Sequence, residues 1–144
     1  FRKAVYTMIQ KFLPIEMQLT YQVDGEPLEQ LPNGYSDHYV PDGFERDYEQ
    51  GYDDAQAFLH VYTDIMTNDF YTVSCAIVQN QNQKELFDNE HTKYRKVKMG
   101  DVEALLGEDK NTGYYLVWED EGITHTIIGR ISIRELMLVA QKIY

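Results

Sequence analysis

Five carboxylates, Glu45, Asp47, Glu49, Asp53 and Asp54, crowd one short stretch of this chain and are the first candidates for chemistry, because hard cations want several carboxylate oxygens. Their spacing is not that of a calcium loop, and neither is that of Asp109-Lys110-Asn111-Thr112-Gly113. A solvated edge strand whose negative charge discourages pairing with another sheet accounts for them more simply, so no metal or other cofactor is expected. His38, His60, His91 and His125 show neither the i, i+4 nor the i, i+2 spacing of a ligand pair. His60 and His125 fall among apolar neighbours in strand-like runs, where a hydrogen-bonded histidine is the plain expectation. The sequence lacks Gly-x-Ser-x-Gly and any phosphate-cradling glycine loop, and Cys75 lies in the apolar run 71–78 as a small core thiol. Glu119 and Glu121, a pair of the kind glycoside hydrolysis uses, fall in a turn and are expected to face solvent. The chain therefore reads as a binding domain and not an enzyme.

Aromatic residues offer a recognition surface instead. Tyr62, Tyr71, Tyr114, Tyr115 and Trp118 on strands, with Tyr35, Tyr39 and Phe44 in the loop before them and Glu119 and Glu121 at the last turn, are the candidate ligand or partner residues. Strand aromatics more often serve as core or cross-strand pairs, which is the competing role for each of them.

These groups need a scaffold. Phe1, Val5, Met8 and Phe12 recur at helical spacing, with Ile9 beside them and Pro14 after, which predicts a short N-terminal amphipathic helix. Residues 17–23 alternate as a strand, 24–27 turn, and 28–41 read as loop around Pro32-Asn33-Gly34 and Pro41-Asp42-Gly43. Residues 44–51 are the acidic edge. Residues 56–63 and 70–78 alternate on either side of a turn at Asn68-Asp69, and 79–83 form a polar loop. Residues 93–99 and 102–106 flank Gly100-Asp101 as a hairpin, and 114–118 with 123–128 make the last one. Ser132 and Glu135 form a capping box, after which Leu136, Val139, Ala140 and Ile143 give a C-terminal helix one apolar face. The expected plan is α+β: a curved antiparallel meander sheet of about six or seven strands, with an N-terminal and a C-terminal helix packed on one face.

At 144 residues the chain reads as one domain over 1–144, able to bury roughly two-thirds of its unfolded surface. Its 43% hydrophobic content and 12 tyrosines exclude disorder. A net charge of -11 repels phosphate backbones, so nucleic acid is not an expected partner, and it repels anionic membrane surfaces too. The single Cys allows no internal disulfide. No apolar run approaches the ~20 residues of a membrane helix.

The order of an apolar strand ending in Trp118, the turn Glu119-Asp120-Glu121-Gly122, a strand ending in Gly129, then Ser132-x-x-Glu135-Leu136 and a closing helix resembles a Firmicutes domain family of unknown function. Tyr39-Val40-Pro41-Asp42-Gly43-Phe44 is similar to that family's Pro-x-Gly-aromatic entry to the sheet, and Phe1-Arg2-Lys3-Ala4-Val5 to the helix that follows its membrane span. Such domains form the C-terminal, extracytoplasmic part of membrane-anchored, anti-sigma-factor-like proteins and related lipoproteins. The resemblance implies an anchor before Phe1, an extracytoplasmic location, and a sensor or regulatory role in signal transduction. Its partner would be an unidentified protein, small molecule or cell-envelope ligand. A lipoprotein-carrier-like domain, holding a lipid or other apolar ligand between sheet and helices, is the alternative, and an internal apolar cavity would distinguish it.

Overall fold

The computed structural model describes residues 5–12, 16–79, 82–88 and 92–144. The strands are β1 (Val5–Phe12), β2 (Glu16–Asp24), β3 (Phe44–Arg46), β4 (Tyr52–Asp53), β5 (Ala57–Asp64), β6 (Phe70–Ile77), β7 (Asn82–Asp88), β8 (Thr92–Met99), β9 (Val102–Asp109), β10 (Gly113–Asp120) and β11 (Ile123–Gly129), followed by the helix α1 (Ile133–Gln141). Eight strands make an open antiparallel sheet in the order β3-β5-β6-β11-β10-β9-β8, with β4 also on β5; β1, β2 and β7 make a second, three-stranded sheet.

Alternation in the sequence becomes a two-faced sheet. In β6, Tyr71, Val73, Cys75 and Ile77 are buried while the residues between them are half-buried. Register carries that face across the sheet, so that His60, Val73, Ile127, Leu116, Leu106 and Arg95 stand side by side on six strands. Phe58, Cys75, His125 and Trp118 form the neighbouring row. α1 covers this face with Leu136, Val139 and Ala140, all buried in one apolar cluster with Leu106, Leu116 and Ile127. Its start is set by Ser132, whose hydroxyl accepts the Glu135 amide at 3.2 Å. Gly129 lets β11 approach β6, since a Cβ there would stand 2.4 Å from the Tyr71 Cα.

Three expectations are corrected. The N-terminal helix is a strand: Val5–Phe12 pairs with β2 from Val5↔Asp24 to Phe12↔Met17. Val5, Thr7 and Ile9 are β-branched and Tyr6 and Phe12 aromatic, so local preference favours extension, and so short a helix would be marginal beside a ready ladder partner. Phe1 and Pro14, which framed that expectation, lie outside the described residues, as does His91. Among the described residues one helix, not two, therefore covers the large sheet. The sheet is not a single meander either, because β6 pairs with β11 and joins the run β3-β5-β6 to the run β8 to β11. Asn82 and Gln83, expected in a polar loop, belong to β7, which pairs with β2; the two amides carry little strand signal, and the ladder overrides it.

Candidate functional site

The loop between β2 and β3 brings the chemistry together. Its turn prolines and glycines keep it extended and irregular, with Gly34 and Gly43 at φ of 76° and 89°. It is tied to the C-terminus: the Ser36 and His38 amides donate to the Tyr144 and Lys142 carbonyls, and Asp37 bridges to Ile143. From this position Tyr35 and Asp37 reach two buried histidines on the helix-covered face of the sheet.

His60 on β5 is 2% exposed, and its Nδ1 and Nε2 donate to Asp37 Oδ1 at 2.7 Å and Asp53 Oδ1 at 2.6 Å. Ionised carboxylates only accept, so both nitrogens carry hydrogen and the ring is an imidazolium. Burial alone would drive the proton off; the two carboxylates outweigh it and hold the His60 pKa above its ordinary value. Burial likewise opposes ionisation of Asp37, but His60 and the Tyr62 hydroxyl, which donates to Oδ2, hold that carboxyl below the usual range. Asp53 is also held low against its desolvation, by His60 and by Arg46, whose Nη2 donates at 2.9 Å. The Asp37 side chain is 1% exposed and that of Asp53 61%, so the network has one dry end and one wet end. Gly51 allows β4 to deliver Asp53, since a Cβ at its φ of 87° would lie 2.1 Å from the Leu59 carbonyl oxygen. Phe58 stacks on the imidazole at 4.3 Å.

His125 on β11 is as deeply buried, at 2% exposure, and lives by different rules. Its ring lies flat on Trp118, centroids 4.6 Å apart with planes 2° off parallel. Nε2 shares a 2.5 Å hydrogen bond with the Tyr35 hydroxyl, and Nδ1 has no partner. With no carboxylate bonded to the ring, burial decides: the pKa falls to about 4, against a smaller opposing pull from the backbone at Trp118 and Ile123. Burial also pushes the Tyr35 hydroxyl up, with Cys75, Asp120 and Glu121 adding to it. An open cleft of about 360 Å³ lies here, walled by Tyr35, Trp118, His125 and Asp120, by Met99 and Val102 of the β8–β9 hairpin, and by Ala140 and Ile143 near the helix end. A second cleft, also about 360 Å³, lies on the other side of Tyr35 along 30–34, Asp53, Asp54, Ala55 and Phe58.

The candidate residues divide between these surroundings. Tyr35 and Trp118 meet at the first cleft. Asp120 lines it, but its neighbours Glu119 and Glu121 do not; Glu119 accepts the Gly122 amide at 2.9 Å, and burial raises its pKa against that bond, with Asp120 and Glu121 adding to the rise. Tyr62 and Tyr71 stack on each other at 4.8 Å inside the core, and Phe44 meets Tyr71 edge-on. Tyr39 packs half-buried beside them. Tyr115 is half-buried beside Trp118's strand neighbours but on the opposite face, its hydroxyl accepting from Thr112. Of the acidic stretch, Asp53 turns to His60, while Asp47 accepts from the Glu49 amide and Gln50. Cys75 is buried, and burial pushes its thiol up. Asp37 carried no sequence motif. The available signal was His60 itself, since an imidazole among apolar neighbours on a core-facing strand position demands an acceptor.

A family described as a domain of unknown function (DUF4367) matches residues 34–143, and the chain belongs to that family. No curated protein and no solved structure matches it.

Proposed function

We propose that this member of the family is a non-enzymatic binding or sensor domain whose recognition site is the cleft between Tyr35, Trp118 and His125. The observation that carries the reading is the open cleft of about 360 Å³ walled by Tyr35, Trp118 and His125, three side chains joined by one ring stack and one hydrogen bond. Stacked Trp118 and the half-buried Tyr35 add apolar area with polar tips, the usual make-up of a recognition surface.

Support for a role without catalysis comes from what the titratable groups are doing. His60 Nε2, the atom a general base would present, is capped by Asp53. The hydroxyl bonded to His125 belongs to Tyr35, whose pKa burial moves away from activation, and the thiol of Cys75 is buried and raised in the same way. The wider setting, an extracytoplasmic domain of a membrane-anchored, anti-sigma-factor-like protein that passes its bound state inward, rests on the sequence resemblance. A carrier holding a lipid between sheet and helix is the second reading; the filled layer of Leu106, Leu116, Ile127, Leu136 and Val139 favours a surface cleft over an internal ligand.

Amide and indole shift mapping against cell-wall fragments, lipids and small-molecule fragments, with generic hydrolase substrates screened in parallel, tests this. Shifts are expected at Tyr35, the Trp118 indole, Asp120 and Gln141. Turnover abolished by a change at His125 or Asp37 would overturn the non-enzyme reading, and shifts confined to the opposite sheet face would refute the site.

A further inference from the structure

The chain carries -11 net charge, yet one strand is uniformly basic. β8 reads Thr-Lys-Tyr-Arg-Lys-Val-Lys-Met, holding Lys93, Arg95, Lys96 and Lys98 and no acid. It is also the last strand of the eight-stranded sheet, so its outer side offers backbone donors and acceptors with no partner strand among the described residues. Its register against β9 runs unbroken from Thr92↔Asp109 to Met99↔Val102, which leaves the edge straight, with no bulge to turn it away. All four cations are exposed. Lys96 reaches Glu103 at 3.4 Å, while Lys93, Arg95 and Lys98 form no ion pair among the described residues, in a chain with 24 acidic side chains. By strand alternation Lys93 and Arg95 lie on the helix-covered side of the sheet and Lys96 and Lys98 on the other, so charge is available on both faces of the edge.

We infer that β8 is a docking edge for an acidic segment of a partner protein, bound in extended form as an added strand. Backbone ladder bonds would supply affinity and the cations would select acidic side chains. Charge argues for this occupant over a second copy joined edge to edge through β8, because that pairing would set the four cations against themselves. The inner neighbour shows the complement: on β9, Glu108 stands opposite Lys93 and Glu103 opposite Lys98, and an acidic strand on the outside would repeat that arrangement. Tyr94 lies over Gly107, where a Cβ would fall 2.7 Å from the ring. This inference is independent of the Tyr35–Trp118 cleft.

The test uses an acetylated eight-residue peptide alternating Glu with Val and Thr, titrated into the ¹⁵N-labelled chain at low salt. Expected are shifts concentrated in the β8 amides, lost as salt rises. The Arg95→Glu/Lys98→Glu variant, checked for folding by its amide spectrum, should bind at least about tenfold more weakly, since attractive cross-strand pairs become repulsive. The same peptide N-methylated at alternate residues should lose binding as well, having lost its ladder donors. Silence of β8 at millimolar peptide would overturn the inference, and so would equal binding of the N-methylated peptide, which would mean charge alone. Concentration-dependent self-association that broadens β8 without peptide would replace the partner segment by a second copy.

Discussion

His60 and His125 are two equally buried histidines on one face of one sheet, and their surroundings give them opposite charge states. His60 has a carboxylate on each nitrogen and is an imidazolium that fastens the β2–β3 loop and β4 onto β5. His125 has a tyrosine hydroxyl on one nitrogen, nothing on the other and an indole across its face, and burial keeps it neutral. Both ring nitrogens of His60 and both carboxylate oxygens of Asp37 are engaged, which marks the first region as structural. The open cleft beside His125 marks the second as the place where a ligand can be received.

The contrast breaks most visibly at Asp37. Asp37→Ala leaves the His60 Nδ1 and the Tyr62 hydroxyl buried without partners and should cost about 3–5 kcal/mol in chemical denaturation. Asp53→Ala, at the wet end of the same network, should cost no more than about 1 kcal/mol because water replaces the carboxylate. Equal losses would mean that the network has no dry end.

Acidity separates the two histidines next. The folded pKa of His125 lies below its unfolded value of 6.5, at about 4, so the unfolded chain takes the proton first and stability falls as pH drops from 6.5 toward 4. A shift of that size corresponds to about 3 kcal/mol across the window. His125→Phe, which keeps a ring on Trp118, should remove that part of the acid loss, at a cost at neutral pH of about 1–3 kcal/mol because the Tyr35 hydroxyl loses its partner. His60 works the other way: its raised pKa gives stability that is full below pH 6.5 and fades as pH rises through the folded value. Thermal melts of the parent chain and of His125→Phe across pH check the two signs.

A smaller effect belongs to Tyr35→Phe. It removes the hydroxyl from His125 Nε2 and should cost about 1 kcal/mol in stability, while weakening any ligand of the cleft. The smallest concerns calcium. Arg46 and His60 already engage Asp53, and the backbone and Gln50 engage Asp47, so millimolar calcium and chelator should give melts that nearly coincide. A large upward shift with calcium would expose a true metal site that competes with His60.

Much of this arrangement was legible in the residues. The β8–β9 and β10–β11 hairpins and the Ser132 cap were readable because turn glycine, alternation and cap chemistry agree locally. β1 was not, since apolar residues at 5, 8, 9 and 12 follow the helical period and only pairing with β2 overrides it. The β6·β11 pairing lies beyond local signals altogether, being a contact between distant strands. Of the site, Tyr35 and Trp118 could be singled out as aromatics, but their meeting depends on a loop path fixed by Ser36 and His38 bonds to the C-terminus. Asp37 was invisible for the same reason.

Imidazole NMR of the uniformly ¹⁵N-labelled chain, followed from pH 4 to 9, tests the central contrast most directly, because ring nitrogen shifts report protonation at each site. His60 should show two protonated nitrogens at pH 6.5 and lose its proton only above that, while His125 should show one protonated and one bare nitrogen and stay neutral down to about 4. Two histidines titrating together near 6.5 would contradict the account.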